Sequence, residues 1–288
     1  MSLRIRIAQR SLHAGAQLRR AGEVDLERDR RIVLDAESTL PLAAGVTETS
    51  VEIAGVPVRR YSVGDSSNGV VLFLHGGAYV VGGSRVARTY SRLALEGTDI
   101  ISVDYRLAPE NPYPAGLDDA TAVYAALGDA PVVIMGESAG GGLALALAQR
   151  LRDEGRRMPL GVVAVFPWAD LTQSSDGFRT NARYDSLDKA ELDQCARDYS
   201  GGADLRTPGI SPAYGSFAGF PTTLTVVGTR DSLVGDARRV HAALAGAGVD
   251  SRLLEVRGAA HAFLSLPVPE ARKALTRISL FVRRVLGE

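Results

Sequence analysis

From residue 70 onwards, short apolar runs alternate with longer stretches whose apolar positions recur at helical spacing. The runs are VVLFLH (70–75), IISVDY (100–105), VVIMG (132–136), GVVAVF (161–166), TLTVVG (223–228) and SRLLEV (251–256). The helical stretches fall at about 85–96, 115–127, 139–153, 235–246 and 269–287. Strand–helix alternation predicts right-handed crossovers and a parallel sheet covered on both faces. Such strands have no wet side, which is why the runs are apolar at consecutive positions. Upstream, TSVEIAG (49–55) and VPVRRYSV (56–63) meet at Gly55 and predict a hairpin or meander. Residues 3–35 set Leu3, Ile7, Leu12, Leu18, Val24, Leu26 and Ile32 among many arginines. That spacing predicts one or two amphipathic helices resting on the main body. Acidic residues interrupt their basic face and argue against a membrane-surface helix. Between Asp170 and about Phe217 the alternation stops, with one helical candidate near Asp188–Tyr199. A long excursion inside an α/β domain predicts a lid or binding cap.

Composition narrows the possibilities. Of 288 residues, 45% are hydrophobic, enough for a large core. Lys plus Arg and Asp plus Glu both number 33, a balance that argues against a nucleic-acid partner and against an anionic membrane surface. No apolar run is long enough to span a bilayer, so no stable membrane insertion is expected. The single cysteine, Cys195, suits a reducing compartment and reads as a partly packed helix residue. The histidines, His13, His75, His241 and His261, are scattered, and no HExxH or CxxC occurs, so no metal is expected. The basic N-terminus is followed by no h-region of signal-peptide length, and a cytoplasmic location is the expectation.

One turn carries the strongest chemical signal. Gly136-Glu137-Ser138-Ala139-Gly140 is a G-x-S-x-G set between a buried strand and an alanine-rich helix. A serine on such a sharp turn exposes its hydroxyl from a strained backbone. Side chains two residues away on either side would collide, which explains glycine at both places. The rival reading is a glycine-rich turn with a helix-capping serine. A nucleophilic serine needs a base, and in this strand–turn–helix setting the order is serine, acid, histidine. His261 follows the last strand on a loop, whereas His241 lies mid-helix. Asp231 follows the strand 223–228 and is the preferred acid. Asp236 is the nearby rival, placed where a helix cap is usual. Earlier in the chain, HGGAY (75–79) turns sharply after a strand and could present N–H groups to an anion. No Walker lysine and no G-x-G-x-x-G with an acidic partner accompanies it, which argues against a nucleotide phosphate.

HGGAY (75–79), DYRLAPENPYPA (104–115), GESAGG (136–141), RDSL (230–233) and AHAF (260–263) together resemble the bacterial hormone-sensitive-lipase-like (family IV) esterases, in that family's order and over most of the chain after residue 70. The resemblance implies the α/β-hydrolase fold, a mostly parallel eight-stranded sheet with helices on both faces and a helical cap. Residues 1–45 with 170–217 would form the cap, and 46–169 with 218–288 the catalytic core. Ser138, Asp231 and His261 would be nucleophile, acid and base. Gly76, Gly77, Ala78 and Ala139 would line the oxyanion hole. DYRLAPE would hold the strand and turn beneath the site, and His75 would anchor the glycine turn. The sequence departs from the family where a third glycine becomes Ala78, a proline becomes Ser232 and a glycine becomes Ala262. Ala78 is expected at negative φ with its N–H towards Ser138. The implied activity is hydrolysis of short-to-medium-chain acyl esters through an acyl-enzyme, with no cofactor and a small-molecule ester as the partner. Amidase, arylformamidase or peptidase activity on the same fold, or a non-catalytic receptor, are the alternatives. Tyr79, Trp168, Tyr184 and Tyr214 would line the pocket or simply pack. Family members often form homodimers, an expectation carried here too.

Overall fold

Val71 and Phe73 point to one side of their strand and Leu72 and Leu74 to the other, and all four are fully buried. The strand therefore lies between two apolar layers. The computed structural model, which describes residues 26–64 and 67–287, repeats this pattern along the sheet. Its strands are β1 (Thr47–Ile53), β2 (Val56–Ser62), β3 (Gly69–Leu74), β4 (Thr98–Val103), β5 (Val132–Glu137), β6 (Gly161–Val165), β7 (Thr222–Gly228) and β8 (Ser251–Val256). They form one sheet in the order β1-β2-β4-β3-β5-β6-β7-β8. β2 pairs antiparallel with β1 and β4, and every later pairing is parallel.

The helices cover both faces. α1 (Leu26–Ser38) precedes the sheet, α2 (Ala115–Ala126) and α3 (Ala139–Asp153) follow β4 and β5, and α4 (Gly177–Asn181) and α5 (Lys189–Ser200) lie in the excursion. α6 (Val234–Gly246) and α7 (Pro269–Leu286) follow β7 and β8. One core layer joins Leu72, Leu74 and Ile134 to Leu117 and Val123 of α2 and Leu143 and Leu147 of α3. The other joins Val71, Phe73, Val133 and Met135 to Ile278 and Phe281 of α7. Each such side chain contributes about 1.5–3 kcal/mol on burial, before the entropy of ordering it.

The predicted elements match closely, with two differences. The segment expected as a helix at 85–96 is wound as 3₁₀ turns over Ser84–Glu96, ending on Gly97 at φ 83°. The excursion holds a short helix, α4, whose five residues are too few to show a period. Its longer neighbour α5 starts where Asp188 accepts the N–H groups of Ala190 and Glu191 as an N-cap. Of the expected N-terminal helices, the part before Leu26 lies outside the described residues. No helix among the described residues is long and apolar enough to cross a membrane.

Candidate active site

Ser138 sits between β5 and α3 at φ 55° and ψ −121°, a backbone setting that an L-residue adopts only under strain. The surroundings hold it there. Its N–H donates to Val165 O (2.9 Å), and its carbonyl accepts from Trp168 N (2.9 Å) and Gly142 N (3.1 Å). The flanking glycines are sterically required. A Cβ on Gly136 would stand 2.1 Å from Gly140 O, and one on Gly140 would stand 2.1 Å from Leu74 O. This is the collision expected from the motif.

His261 arrives on the loop after β8. Its Nε2 lies 3.0 Å from Ser138 Oγ, and its Nδ1 lies 3.0 Å from Asp231 Oδ2. Asp231 follows β7 and is fully buried, and its second oxygen accepts the N–H of Leu233 (2.8 Å). Burial alone would lower the His261 pKa. The charge and hydrogen bond of Asp231, with the charges of Asp185 and Glu137, outweigh it and bring the imidazole to about 8. Phe166 meets the ring edge-on at 4.8 Å and limits its tilt. A proton can therefore pass from the serine to an imidazole whose charge a buried carboxylate balances.

The rival residues fall elsewhere. Asp236 accepts the N–H groups of Ala169 (3.1 Å) and Asp170 (3.0 Å), so it holds the start of the excursion rather than the imidazole. His241 Nδ1 meets Ser251 Oγ at 2.8 Å, joining α6 to β8. Burial, then the charges of Asp198 and Glu191, push the Cys195 thiol up to about 12, far from nucleophilic.

The glycine turn lies against the serine. A Cβ on Gly76 would come within 3.2 Å of Ser138 Cβ. Gly77 and Gly82 have φ of 113° and 97°, and Val80 and Val81 both donate to Gly77 O at 3.0 Å. Among the described residues, the N–H groups of Gly77, Ala78 and Ala139 donate to no other group. DYRLAPE props this turn from below. Tyr105 Oη donates to His75 O (2.8 Å), and its ring stacks on His75 at 4.2 Å. Ala108 N donates to Tyr79 O (3.0 Å). His75 is buried, which lowers its pKa, and its Nδ1 bonds to Gly76 O at 2.7 Å, as an anchor would. From α1, Arg30 donates to Val80 O and Ala108 O, both at 2.8 Å, and pairs with Glu110 at 2.7 Å.

Ala78 corrects the sequence expectation. Its φ is +53°, not negative, and Tyr79 follows at +66°. Two successive left-handed residues bend the chain so that Val80 and Val81 reach back to Gly77 O. The cost at Ala78 is about 1–2 kcal/mol. Replacing it with glycine is expected to raise the melting temperature by about 2–4 °C. Ester turnover should stay close to that of the parent protein, and an unchanged or lower melting temperature would count against the strain.

Tyr79 and Trp168 are 2% and 1% exposed, with Tyr79 stacked on Tyr199 at 3.7 Å and 5.9 Å from Trp168. That is the packing alternative. Tyr214 bonds to Thr172 (2.9 Å), and Tyr184 lies under Arg230 at 4.1 Å. The sequence reading missed Glu137, buried and hydrogen-bonded to Tyr90 Oη (2.7 Å), although it stands inside the motif. It also missed Asp185, whose carboxylate accepts from Ser232 N (2.6 Å) and His261 N (3.2 Å). Nothing periodic or motif-like marks Asp185. Among the described residues, no three His, Cys, Asp or Glu side chains gather to hold a metal ion.

Comparison with known proteins bears on the fold and the family. Residues 71–265 match a family model described as the alpha/beta hydrolase fold. An acetyl-hydrolase of Streptomyces hygroscopicus is 35% identical, the match covering 93% of each chain. An esterase of Acinetobacter venetianus is 32% identical over 80% of each. The crystal structure of an esterase from the bacterial hormone-sensitive lipase family superposes with a TM-score of 0.90 at 32% identity, covering 97% of this chain and 98% of that one.

Proposed function

Because the chain belongs to the hormone-sensitive-lipase-like esterases of the α/β-hydrolase fold and is an ester-hydrolysing enzyme, we propose that it works through Ser138, His261 and Asp231 on short-to-medium-chain acyl esters. The observation that carries this reading is the unbroken line of two 3.0 Å contacts from Ser138 Oγ through the imidazole to Asp231. His261 Nε2 takes the serine proton as Oγ attacks the ester carbonyl. The carbonyl oxygen becomes an anion held by the N–H groups of Gly77, Ala78 and Ala139, each donor contributing about 3 kcal/mol in the transition state. His261 then passes its proton to the departing alkoxide. Water repeats the sequence on the acyl-enzyme and frees the acid. Neither step calls for a metal or an organic cofactor.

Segment 170–217 with the N-terminal helix forms the cap in this reading, over the core of 46–169 and 218–288. The similarity to an acetyl-hydrolase supports small acyl groups. We expect p-nitrophenyl acetate to hexanoate to turn over faster than emulsified long-chain triglycerides, and faster triglyceride turnover would overturn the chain-length reading. A matched anilide separates an esterase from an amidase, since faster anilide cleavage would favour the latter. The balanced charge and the lone cysteine support a cytoplasmic enzyme without a nucleic-acid partner.

The imidazole sets the pH dependence. Only neutral His261 can accept the serine proton, and its pKa is raised to about 8. The rate constant kcat/KM is therefore expected to fall about tenfold per unit as pH drops below about 8. A profile of kcat/KM from pH 5 to 10 checks this, and an acid limb centred at or below 6.5 would contradict it.

A further inference from the structure

The loops that carry Asp231 and His261 are pinned together at their bases. Arg230 N donates to Ala259 O (2.8 Å), and Gly258 N donates to Thr229 Oγ1 (2.8 Å). Towards their tips the bridge comes from the excursion between β6 and β7. Asp185 is buried and places one oxygen 2.6 Å from Ser232 N, beside the acid, and the other 3.2 Å from the N–H of His261 itself. That second oxygen also accepts from Ser186 N (2.8 Å), which orients the carboxylate on its own turn. Asn181, one helical turn earlier, donates to Asp231 O at 2.8 Å. α4 is seated hard on the acid loop, since a Cβ on Gly177 would stand 2.1 Å from Ser232 O. Burial, then the charge of Asp231, raise the Asp185 pKa, and the imidazole of His261 and the N–H of Ser232 oppose that rise.

From this arrangement we infer that Asp185, assisted by Asn181, is a positioning residue of the triad: a carboxylate supplied by the excursion sets the spacing of the acid and base loops and adds negative charge beside the imidazole. The inference rests on the proposed triad. Among the described residues, the ionisable groups whose charge acts on the His261 imidazole are Asp231 from the β7 loop, Asp185 from the excursion and Glu137 from β5. Losing the bridge lets the imidazole drift from Ser138, and a displacement of about 1 Å can lower kcat about 100-fold. The loss should appear in kcat and not in KM, because Asp185 contacts neither ester nor serine.

The test compares Asp185→Asn and Asn181→Leu with the parent chain on p-nitrophenyl butyrate. In Asp185→Asn the amide must turn an N–H towards one of the backbone donors, and the charge is gone. Its kcat is expected to fall at least about 30-fold with KM within twofold. The acid limb of kcat/KM should move to lower pH, because a negative charge that stabilises the imidazolium has been removed. Asn181→Leu should lower kcat several-fold and leave the limb in place. An Asp185→Asn enzyme with kcat within twofold of the parent, or one whose acid limb does not move, would overturn the inference. If Asp185→Asn does not fold, Asn181→Leu decides, and parental kcat there would overturn it. A fluorophosphonate probe separates the two levels of the argument. Failure to label Ser138 in the parent chain removes the triad reading itself. Equal labelling rates in parent and Asp185→Asn remove only the role of Asp185.

Discussion

Replacing Ser138 with alanine is expected to lower kcat on p-nitrophenyl butyrate by on the order of 10⁶ while the protein keeps its fold. The hydroxyl is the only atom removed, and its single side-chain partner is His261 Nε2 at 3.0 Å. Alanine can occupy the strained backbone at φ 55° as well as serine does, so stability should change little. What would remain is the stabilisation given by the oxyanion donors and by binding, which in serine hydrolases sustains about 10³–10⁴-fold acceleration over water. Covalent labelling by a fluorophosphonate should vanish together with turnover. An alanine variant with an intact melting curve and more than about a hundredth of parental kcat would require a different nucleophile.

The largest expected effect on stability comes from one methyl group. In Gly140→Ala the new Cβ would stand 2.1 Å from Leu74 O and 2.4 Å from His75 O. Both are backbone atoms at the end of β3, which is bonded on its two sides to β4 and β5. Neither can retreat without breaking that ladder or lifting the glycine turn from Ser138. The expected destabilisation exceeds about 4 kcal/mol, seen as a melting temperature lower by about 10 °C or more, or as insoluble protein. Gly246→Ala is the control. It ends α6 with no atom within 4 Å of the new methyl, so the same substitution should be neutral or stabilise by up to about 1 kcal/mol. Equal melting temperatures for Gly140→Ala and the parent would mean that the elbow is not as tightly packed as described.

The difference between these two glycines illustrates how far a sequence can be read. Gly136 and Gly140 announced their crowding because the chemistry of an exposed serine dictates a tight turn, and that requirement is local. Ala78 was misread for the opposite reason. Alanine ordinarily avoids positive φ, and the forces that overrule this preference are distant in sequence. They are the Tyr79 ring stacked on Tyr199 and Arg30 of α1 holding Val80 O. Asp236 was open to two readings until packing turned it towards the N–H groups of Ala169 and Asp170.

By itself the sequence determined the order of strands and helices, the parallel character of the main sheet and the order of Ser138, Asp231 and His261 along the chain. Each rests on local physics: strands buried on both sides must be apolar throughout, helices must carry apolar residues at their own period, and an exposed nucleophile needs small neighbours. Tertiary structure alone decided how β1 and β2 join the sheet, where the backbone of Ala78 settles, and that the excursion returns Asp185 to the acid and base loops. These outcomes depend on contacts between residues far apart in the chain, such as Tyr61 with Ile100, Tyr79 with Tyr199 and Asp185 with Ser232 and His261. Such contacts leave no periodic trace in the chain, because each is fixed by the closing of the whole sheet rather than by the residues on either side of it.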